Sequence, residues 1–327
     1  MVSSNTTPGS EIAFTGLQRQ YQNLREEILE CTDKVLSTGQ HMLGPYTKQF
    51  EQWLTDKNNQ SALTVHNGTQ ALEIVAEWYN KTYGGTVYLP AFSFIATDNA
   101  FKRVGCKIKY VDVDEYGIIK NAYADDTDLV VLVGLYGASV EYQHGIILED
   151  GAQHWCGNNY KRVGDICTMS FDPMKNMPAY GNGGAISSNS EDLMTFVENF
   201  RHHHHPKYTS VATNSKMSEW DCALMMIKSK YMDQWQSRRK DIAKYWMDGC
   251  KYKVLIKDID THALQKFVIQ TEDRDKLREE WNIPTRINYP YTLDQTPQAY
   301  KLSQTVLSLP IYPELTDAEV EYIKSLI

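Results

Sequence analysis

The sequence predicts an α/β fold with a mainly parallel sheet sandwiched by helices, followed by a small C-terminal α+β domain. Short apolar runs alternate with helical segments up to residue 201, which is typical of a parallel sheet covered on both faces. Glycine-rich and polar stretches follow the ends of these runs, where such sheets bind ligands. Later elements are too few for a second large sheet. We therefore predict a large domain, residues 1–240, and a small domain, residues 241–327, with the N-terminal helix able to pack on the small domain.

The N-terminal segments illustrate how the elements are assigned. Residues 17–36 place apolar side chains at helical spacing, and Gly39 ends that helix. A turn at Gly44 precedes a second helix, and the short apolar run at residues 61–65 predicts a strand. Helical spacing resumes directly after Gly68 and predicts a third helix.

The remaining elements follow from the same two patterns. Strands are predicted at residues 86–89, 107–113, 129–135, 146–149, 267–270 and 285–288. Helices are predicted after residue 90, at 190–201, from a cap at Ser218 or Asn214 through Tyr231 and Trp235, from Ser237 to Met247, at 274–281, and at 316–326 with Thr316 as cap.

Composition argues against several classes of partner. A net charge of -8 and an isoelectric point near 5.6 disfavour nucleic acid or an anionic membrane as the main partner. Residues 1–10 lack a hydrophobic signal core, and the longest apolar run, residues 129–136, is too short to span a bilayer. The six cysteines form no CxxC pair, which favours a reducing cytoplasm as the location.

Four consecutive histidines, His202 to His205, suggest metal binding at first sight. Four adjacent side chains do not easily converge on one ion, so a solvated loop is the better interpretation. No metal is therefore predicted in the site.

Residues 165–184 are the stretch around which the predicted site is organised. Ser170 stands five residues before Lys175, and a glycine-rich turn follows at residues 181–184. Upstream, Asp150 follows a predicted strand and supplies a carboxylate. Pyridoxal 5'-phosphate needs such groups: an amine for a Schiff base, an acid at the ring nitrogen, and donors for the phosphate. We therefore predict that Lys175 carries this cofactor.

Residues 66–69 supply a second candidate part of the site. A strand, then Gly68 and Thr69, then a helix brings free backbone N–H groups and the positive end of a helix dipole to one point, which suits an anion. A Gly-Thr pair before a helix is often only a cap, and this stretch alone leaves both interpretations open.

A series of stretches occurs in an order known from one family. They are residues 39–44 with Phe50 and Glu51, then 67–72, 90–97, 135–137, 149–153, 170–176, 181–184, 214–219 and 308–313. Together they resemble the DegT/StrS family of nucleotide-sugar aminotransferases, which are pyridoxal-phosphate enzymes of fold type I. The resemblance covers nearly the whole chain, and it implies that fold and cofactor here.

The resemblance also implies a role for each matching residue. Lys175 is similar to the Schiff-base lysine, which also moves the proton between substrate carbon and cofactor. Asp150 is similar to the carboxylate that keeps the pyridine nitrogen protonated. Phe94 resembles the aromatic residue that stacks on the ring, and Gln153 resembles the donor to its phenolic oxygen.

The phosphate contacts are implied in the same way. Gly68, Thr69 and Ser170 resemble the phosphate cradle, and Asn214 resembles a contact donated by the neighbouring subunit. The resemblance thus implies a homodimer with shared active sites. Lys216 and Arg286 are candidates to hold the diphosphate of a nucleotide.

The implied reaction is a transamination from an amino acid, with glutamate the expected donor, to a keto group of a nucleotide-linked sugar. The spacing after Lys175 is closer to relatives acting at C3 of the sugar than at C4. A sugar dehydratase of the same family is an alternative, although such relatives carry histidine at the lysine position. A non-catalytic, cofactor-binding regulatory protein is another, motivated by Lys216 and Asn288, which depart from the family pattern. The plainest alternative is an unrelated α/β protein with Lys175 on its surface.

Overall fold

A seven-stranded sheet forms the centre of the computed structural model, which describes residues 12–122, 124–142, 144–157, 159 and 162–327. Its strands are β1 (Ser61–Val65), β2 (Thr86–Pro90), β3 (Lys107–Val111), β4 (Leu129–Val133), β5 (Ile146–Asp150), β6 (Ile166–Ser170) and β7 (Gly184–Ser188). They lie in the order β1-β7-β6-β5-β4-β2-β3. Only β7 runs against its neighbours, pairing antiparallel with both β6 and β1. The prediction of a mainly parallel sheet is confirmed.

Helices cover both faces of this sheet. In the N-terminal two thirds they are α1 (Leu17–Thr38), α2 (Pro45–Asn58), α3 (Gly68–Thr82), α4 (Ile95–Arg103), α5 (Glu191–Phe200) and α6 (Glu219–Ser229). On one face, Val131 and Ile186 of the sheet belong to a core shared with α3, α4 and α5. On the other face, Met169 and Ala185 belong to a core shared with α2 and α6. Because β-strand side chains alternate between faces, neighbouring residues of one strand serve both cores.

A smaller antiparallel sheet follows, with the order β10-β9-β8. The C-terminal elements are α7 (Met232–Met247), β8 (Lys253–Val254), β9 (Phe267–Gln270), α8 (Arg274–Glu280), α9 (Pro297–Thr305), β10 (Val306–Leu309) and α10 (Asp317–Leu326). Trp246 of α7 packs edge-on against Phe267 of β9, with ring centroids 5.2 Å apart. Arg19 of α1 donates to both carboxylate oxygens of Glu319 in α10 at 2.6 Å. The division of the chain after residue 240 stays a prediction, and that position lies inside α7.

The predicted long helix after Ser218 is wrong in its C-terminal part. Ser218 is the N-cap, and its hydroxyl accepts from the Asp221 N–H at 3.0 Å, but α6 ends at Ser229. A new helix, α7, begins at Met232 and contains Trp235, which was expected in the first helix. Between them Tyr231 donates its hydroxyl to Glu27 at 2.5 Å, so a tertiary contact outweighs the local helical spacing.

The predicted strand at residues 285–288 is also wrong. Only Arg286 pairs there, in an isolated bridge with Ser308, because Pro284 and Pro290 on either side lack the N–H donors of a ladder. Five elements were not predicted: β6, β7, β8, α9 and β10. The carboxylate of Asp112 accepts from the side chain of Thr296 at the start of α9, at 2.6 Å, and a contact so distant in sequence leaves no local signal.

Two predictions concern membranes and metal ions. Residues 1–10, expected to lack a signal core, lie outside the described residues. Within the described ranges, no helix combines the length and the apolar character needed to cross a membrane. His202 to His205 form turns after α5, and no group of His, Cys, Asp or Glu that could hold a metal ion occurs in that part of the chain.

The N-cap residue of α2 is Gly44, which has no side chain to cap the helix. Its cap comes from Glu219 in α6, which is buried and accepts from the backbone N–H groups of Gly44, Tyr46 and Thr47 at 2.9, 2.5 and 3.1 Å. The Thr47 hydroxyl donates to the same carboxylate at 2.6 Å. A full negative charge at a helix N-terminus also interacts favourably with the helix dipole. Glu219 therefore fixes two helices on one face of the sheet.

We expect Glu219→Gln to lower the free energy of unfolding by about 2–4 kcal/mol, because an amide places donors against N–H groups that need an acceptor. Urea denaturation followed by circular dichroism measures this change. Glu26→Gln, at an exposed position of α1, is the control and should leave the midpoint unchanged. Equal midpoints for both variants would contradict the capping role.

Candidate active site

A cavity of about 400 Å³ opens beyond the carboxyl ends of the parallel strands. Seven of the eight predicted site residues line it: Gly68, Thr69, Phe94, Asp150, Gln153, Ser170 and Lys175. The eighth, Asn214, is exposed and does not line this cavity. Its predicted role concerns a neighbouring subunit and stays a prediction.

One end of the cavity is built to hold an anion. The side chain of Asn67 caps α3 by accepting from the Gln70 N–H at 2.8 Å. The N–H groups of Gly68 and Thr69, in the first turn, have no carbonyl acceptor within the helix and are available to a ligand. The hydroxyl of Ser170 adjoins them. A Cβ at Gly68 would lie 2.7 Å from the Cβ of Ser170, so glycine is required for this close approach. The arrangement supports the anion-binding interpretation of this stretch.

Lys175 lies on the connection between β6 and β7, whose paired ends are Ser170 and Gly184. The turn is held by the Met174 N–H, which donates to the Asp172 side chain at 2.8 Å, and by the Lys175 N–H, which donates to the Asp172 carbonyl at 2.9 Å. Burial lowers the pKa of the Lys175 amine, while Asp172 and Asp150 oppose that effect. Within the described residues the amine has no hydrogen-bond or ion-pair partner. It is therefore available as a nucleophile or a base.

Asp150 ends β5 with its carboxylate in the cavity. The Thr97 hydroxyl donates to Oδ2 at 2.8 Å, and the Ala152 N–H lies 3.3 Å from Oδ1. Ser93 contacts the Thr97 hydroxyl at 3.1 Å, so a short chain of hydroxyls orients the acid. The preceding residue, Glu149, faces the other side of the sheet and accepts from the Gly164 N–H at 2.5 Å. Strand alternation thus directs only one of the two adjacent acids into the site.

An aromatic and amide group forms another wall. The Oε1 atom of Gln153 accepts from the Tyr136 N–H at 2.8 Å, and its Nε2 donates to the Tyr289 hydroxyl at 2.9 Å. A second hydrogen on that nitrogen remains to donate into the cavity. Phe94 is half exposed at the cavity wall, and its ring centroid lies 6.3 Å from that of Tyr289. The exposed ring face could cover a flat ligand.

Three residues that line the cavity or orient its groups were not predicted from the sequence: Thr97, Tyr289 and Lys266. Thr97 and Tyr289 lie in segments quoted for the family resemblance or its departures, so a signal existed for both. Lys266 lines the cavity as well, but it precedes the apolar run of β9 and carries no motif. Arg286, a candidate for a diphosphate, also lines the cavity, whereas the other candidate, Lys216, does not.

These groups fit pyridoxal phosphate. The cradle at Gly68 offers backbone donors to a phosphate, Lys175 offers a free amine to an aldehyde, and Asp150 offers a carboxylate to a ring nitrogen. The cavity volume falls in the range of small-molecule sites, about 300–1,000 Å³.

Comparisons with known proteins point to one family. A model described as the DegT/DnrJ/EryC1/StrS aminotransferase family matches residues 22–327. A pleiotropic regulatory protein of Geobacillus stearothermophilus is 29% identical, with 95% of this chain and 96% of that protein covered. The dTDP-3-amino-3,6-dideoxy-alpha-D-galactopyranose transaminase of Aneurinibacillus thermoaerophilus is 28% identical, with 95% and 97% covered.

A third relative and one crystal structure extend the comparison. The 3-oxo-glucose-6-phosphate:glutamate aminotransferase of Bacillus subtilis is 28% identical, with 96% of this chain and 82% of that protein covered. The crystal structure of ntda from Bacillus subtilis, with bound cofactor pmp, has a TM-score of 0.83 and 25% identity, covering 99% of this chain and 86% of that one.

Proposed function

Because the chain belongs to the DegT/DnrJ/EryC1/StrS aminotransferase family, whose members depend on pyridoxal phosphate, we propose that this sugar aminotransferase moves an amino group from glutamate to C3 of a nucleotide-linked 3-ketosugar. The observation that carries the proposal is the meeting of the Lys175 amine, which has no partner among the described residues, with Asp150 and the Gly68 cradle in one cavity. The names of two relatives contain a 3-amino or 3-oxo sugar, and one of them contains glutamate. Those names support C3 and the donor for this chain.

Each side chain has a proposed task. The backbone N–H groups of Gly68 and Thr69 and the Ser170 hydroxyl bind the cofactor phosphate. Asp150, oriented by Thr97, holds a proton at the ring nitrogen, because a nearby carboxylate favours the charged pyridinium. The bound cofactor supplies an electron sink and a carrier for the amino group.

Lys175 performs the proton transfers. Once a substrate amine had replaced it, the Lys175 amine would be the base that accepts the proton from the substrate α-carbon and returns it, while the bound cofactor would supply the electron sink. Its lowered pKa, caused by burial, keeps a fraction of the amine neutral and able to accept that proton. Over the whole reaction glutamate would become 2-oxoglutarate and the sugar ketone would become an amine, so the nitrogen and two electrons pass from the donor to the sugar.

The remaining tasks concern the ring and the neighbouring subunit. Phe94 covers one face of the ring, and the free amide hydrogen of Gln153 bonds the phenolic oxygen. Asn214, exposed in the single chain, reaches the cofactor phosphate of a second copy in a homodimer. A regulatory role is the second candidate function, favoured by the name of one relative, the pleiotropic regulatory protein. The sugar dehydratase is disfavoured because Lys175 is present.

A single-turnover reaction tests the proposal. Protein loaded with pyridoxal phosphate and mixed with L-glutamate should form one equivalent of 2-oxoglutarate and yield pyridoxamine phosphate. Addition of a nucleotide-linked 3-ketosugar should restore the aldehyde form, and NMR of the product should locate nitrogen on C3. Loaded protein that reacts with no amino acid would support the regulatory candidate instead. Loss of a hydroxyl without amino transfer would support the dehydratase.

A further inference from the structure

Lys266 is a buried lysine in the active-site cavity, and among the residues that the structure describes it has no acidic partner. Its side chain is about nine-tenths buried, at 7% exposure, and its Nζ lies 5.1 Å from the centroid of Phe14. The guanidinium of Arg286 stacks on the same ring, with Cζ 4.5 Å from the centroid. Within the described residues neither cation forms an ion pair, although the sequence contains 41 acidic residues. Two cations therefore converge on one ring, and the described part of the chain supplies no counter-ion.

The position of Lys266 beside Lys175 is fixed by backbone contacts. Gln265 donates its side-chain amide to the Met174 carbonyl at 2.6 Å. Asn176 donates its side-chain amide to the Ala263 carbonyl at 2.5 Å. The residues before Lys266 are thus tied to the residues on both sides of Lys175. Both lysines line the same cavity.

The surroundings of Lys266 favour an anion from outside. Burial lowers the pKa of its amine to about 7, with smaller contributions in the same direction from the cations Lys175, Arg239 and Arg286. Asp172 alone opposes that shift. Leaving a buried charge without a counter-ion is costly, and a negatively charged ligand would remove the cost.

We propose that Lys266, assisted by Arg286, binds the α-carboxylate of the amino-acid donor. The inference rests on the proposed transamination and names the residue that recognises one of its substrates. In an α-amino acid the amine and the carboxylate are bonded to the same carbon, so a donor reacting at Lys175 must place its carboxylate only about 2.5 Å from its nitrogen. A buried lysine beside Lys175 meets that requirement. A nucleotide diphosphate is larger and would be expected at the exposed Arg286 instead.

The test compares Lys266→Gln and Lys266→Arg with the unaltered protein. Lys266→Gln should weaken glutamate in the single-turnover reaction about 10- to 100-fold, because one charge-assisted hydrogen bond is lost, while the limiting rate changes less than about threefold. Lys266→Arg should recover most of the affinity. The control is Lys251→Gln, an exposed lysine stacked 5.2 Å from the ring of Tyr252 outside the cavity, which should behave as the unaltered protein does.

Two further measurements separate the possible outcomes. Thermal stabilisation of the cofactor-loaded protein by glutarate, a carboxylate that cannot react, should vanish in Lys266→Gln, and this readout does not require turnover. The reverse reaction with the aminated sugar nucleotide should keep its affinity. If that affinity falls while glutamate binding is unchanged, Lys266 binds the sugar phosphate and the proposal is overturned. If neither changes, Lys266 binds no substrate anion. Failure of the unaltered protein with every amino donor would reject the proposed function, yet glutarate binding would still test Lys266.

Discussion

Lys175→Ala is expected to abolish amino transfer, with a rate loss greater than about 10⁴-fold, because the variant loses both the group that bonds the cofactor and the base that moves the proton. The same change should abolish covalent capture of the cofactor. Borohydride reduction of the unaltered protein with pyridoxal phosphate, followed by peptide mass mapping, should attach the label to Lys175. The variant should show no label on the corresponding peptide.

Two features of the chain make that experiment decisive. Lys257→Ala, at an exposed position, is the matched control and should label and react normally. Lys266 is the competing amine, because it lines the same cavity and its pKa is also lowered, to about 7. Label on Lys266 in the unaltered protein would contradict the assignment of Lys175 and would require the roles of the two lysines to be exchanged.

Asp150→Asn should reduce the rate of amino transfer by about 10²- to 10⁴-fold while leaving the fold intact. The amide is nearly the same size as the carboxylate and keeps an oxygen to accept from Thr97, but it no longer favours a proton on the ring nitrogen. Without that proton the ring withdraws electrons less strongly from the substrate carbon. Nitrogen-15 NMR of labelled pyridoxal phosphate should show a protonated ring nitrogen in the unaltered protein and an unprotonated one in the variant.

The control for this change is Asp126→Asn, which removes one charge from an exposed position in the loop before β4. It should leave both the NMR signal and the rate unaltered. A protonated ring nitrogen in Asp150→Asn, together with a normal rate, would show that another group holds the proton. The Thr97 hydroxyl cannot replace the carboxylate of Asp150, because a hydroxyl carries no charge at neutral pH.

Much of the large sheet could be predicted because its signals are local. The apolar run at residues 61–65 corresponds to β1, and Gly39 ends α1 in a left-handed conformation. Thr316 caps α10 in a full capping box. The meeting of Gly68, Asp150 and Lys175 in one cavity could also be expected, because they lie at or after strand ends that a parallel sheet brings to one edge, while their roles stay predictions.

The errors arise where distant contacts decide the structure. The cap of α2 comes from Glu219, 175 residues beyond Gly44, and no local pattern reveals it. Tyr231, which lies between α6 and α7, donates its hydroxyl to Glu27, 204 residues away. Gln265, next to Lys266, donates to the carbonyl of Met174, 91 residues earlier, and so ties Lys266 to the segment that contains Lys175. Each contact joins segments whose own spacing is consistent with another structure.

The connection between β6 and β7, residues 171–183, has a consequence for how this enzyme can diversify. Ser170 and Gly184 are paired across adjacent antiparallel strands, so Lys175, which we propose as the reactive lysine, is positioned by one contiguous hairpin. The second lysine and Arg286 arrive from the C-terminal third of the chain. Drift in that third can therefore retune which small molecules are accepted, while the hairpin preserves the chemistry. New specificities should accumulate there, and ancestral reconstruction or directed evolution would find the adaptive changes in residues 262–290 far more often than in residues 166–188.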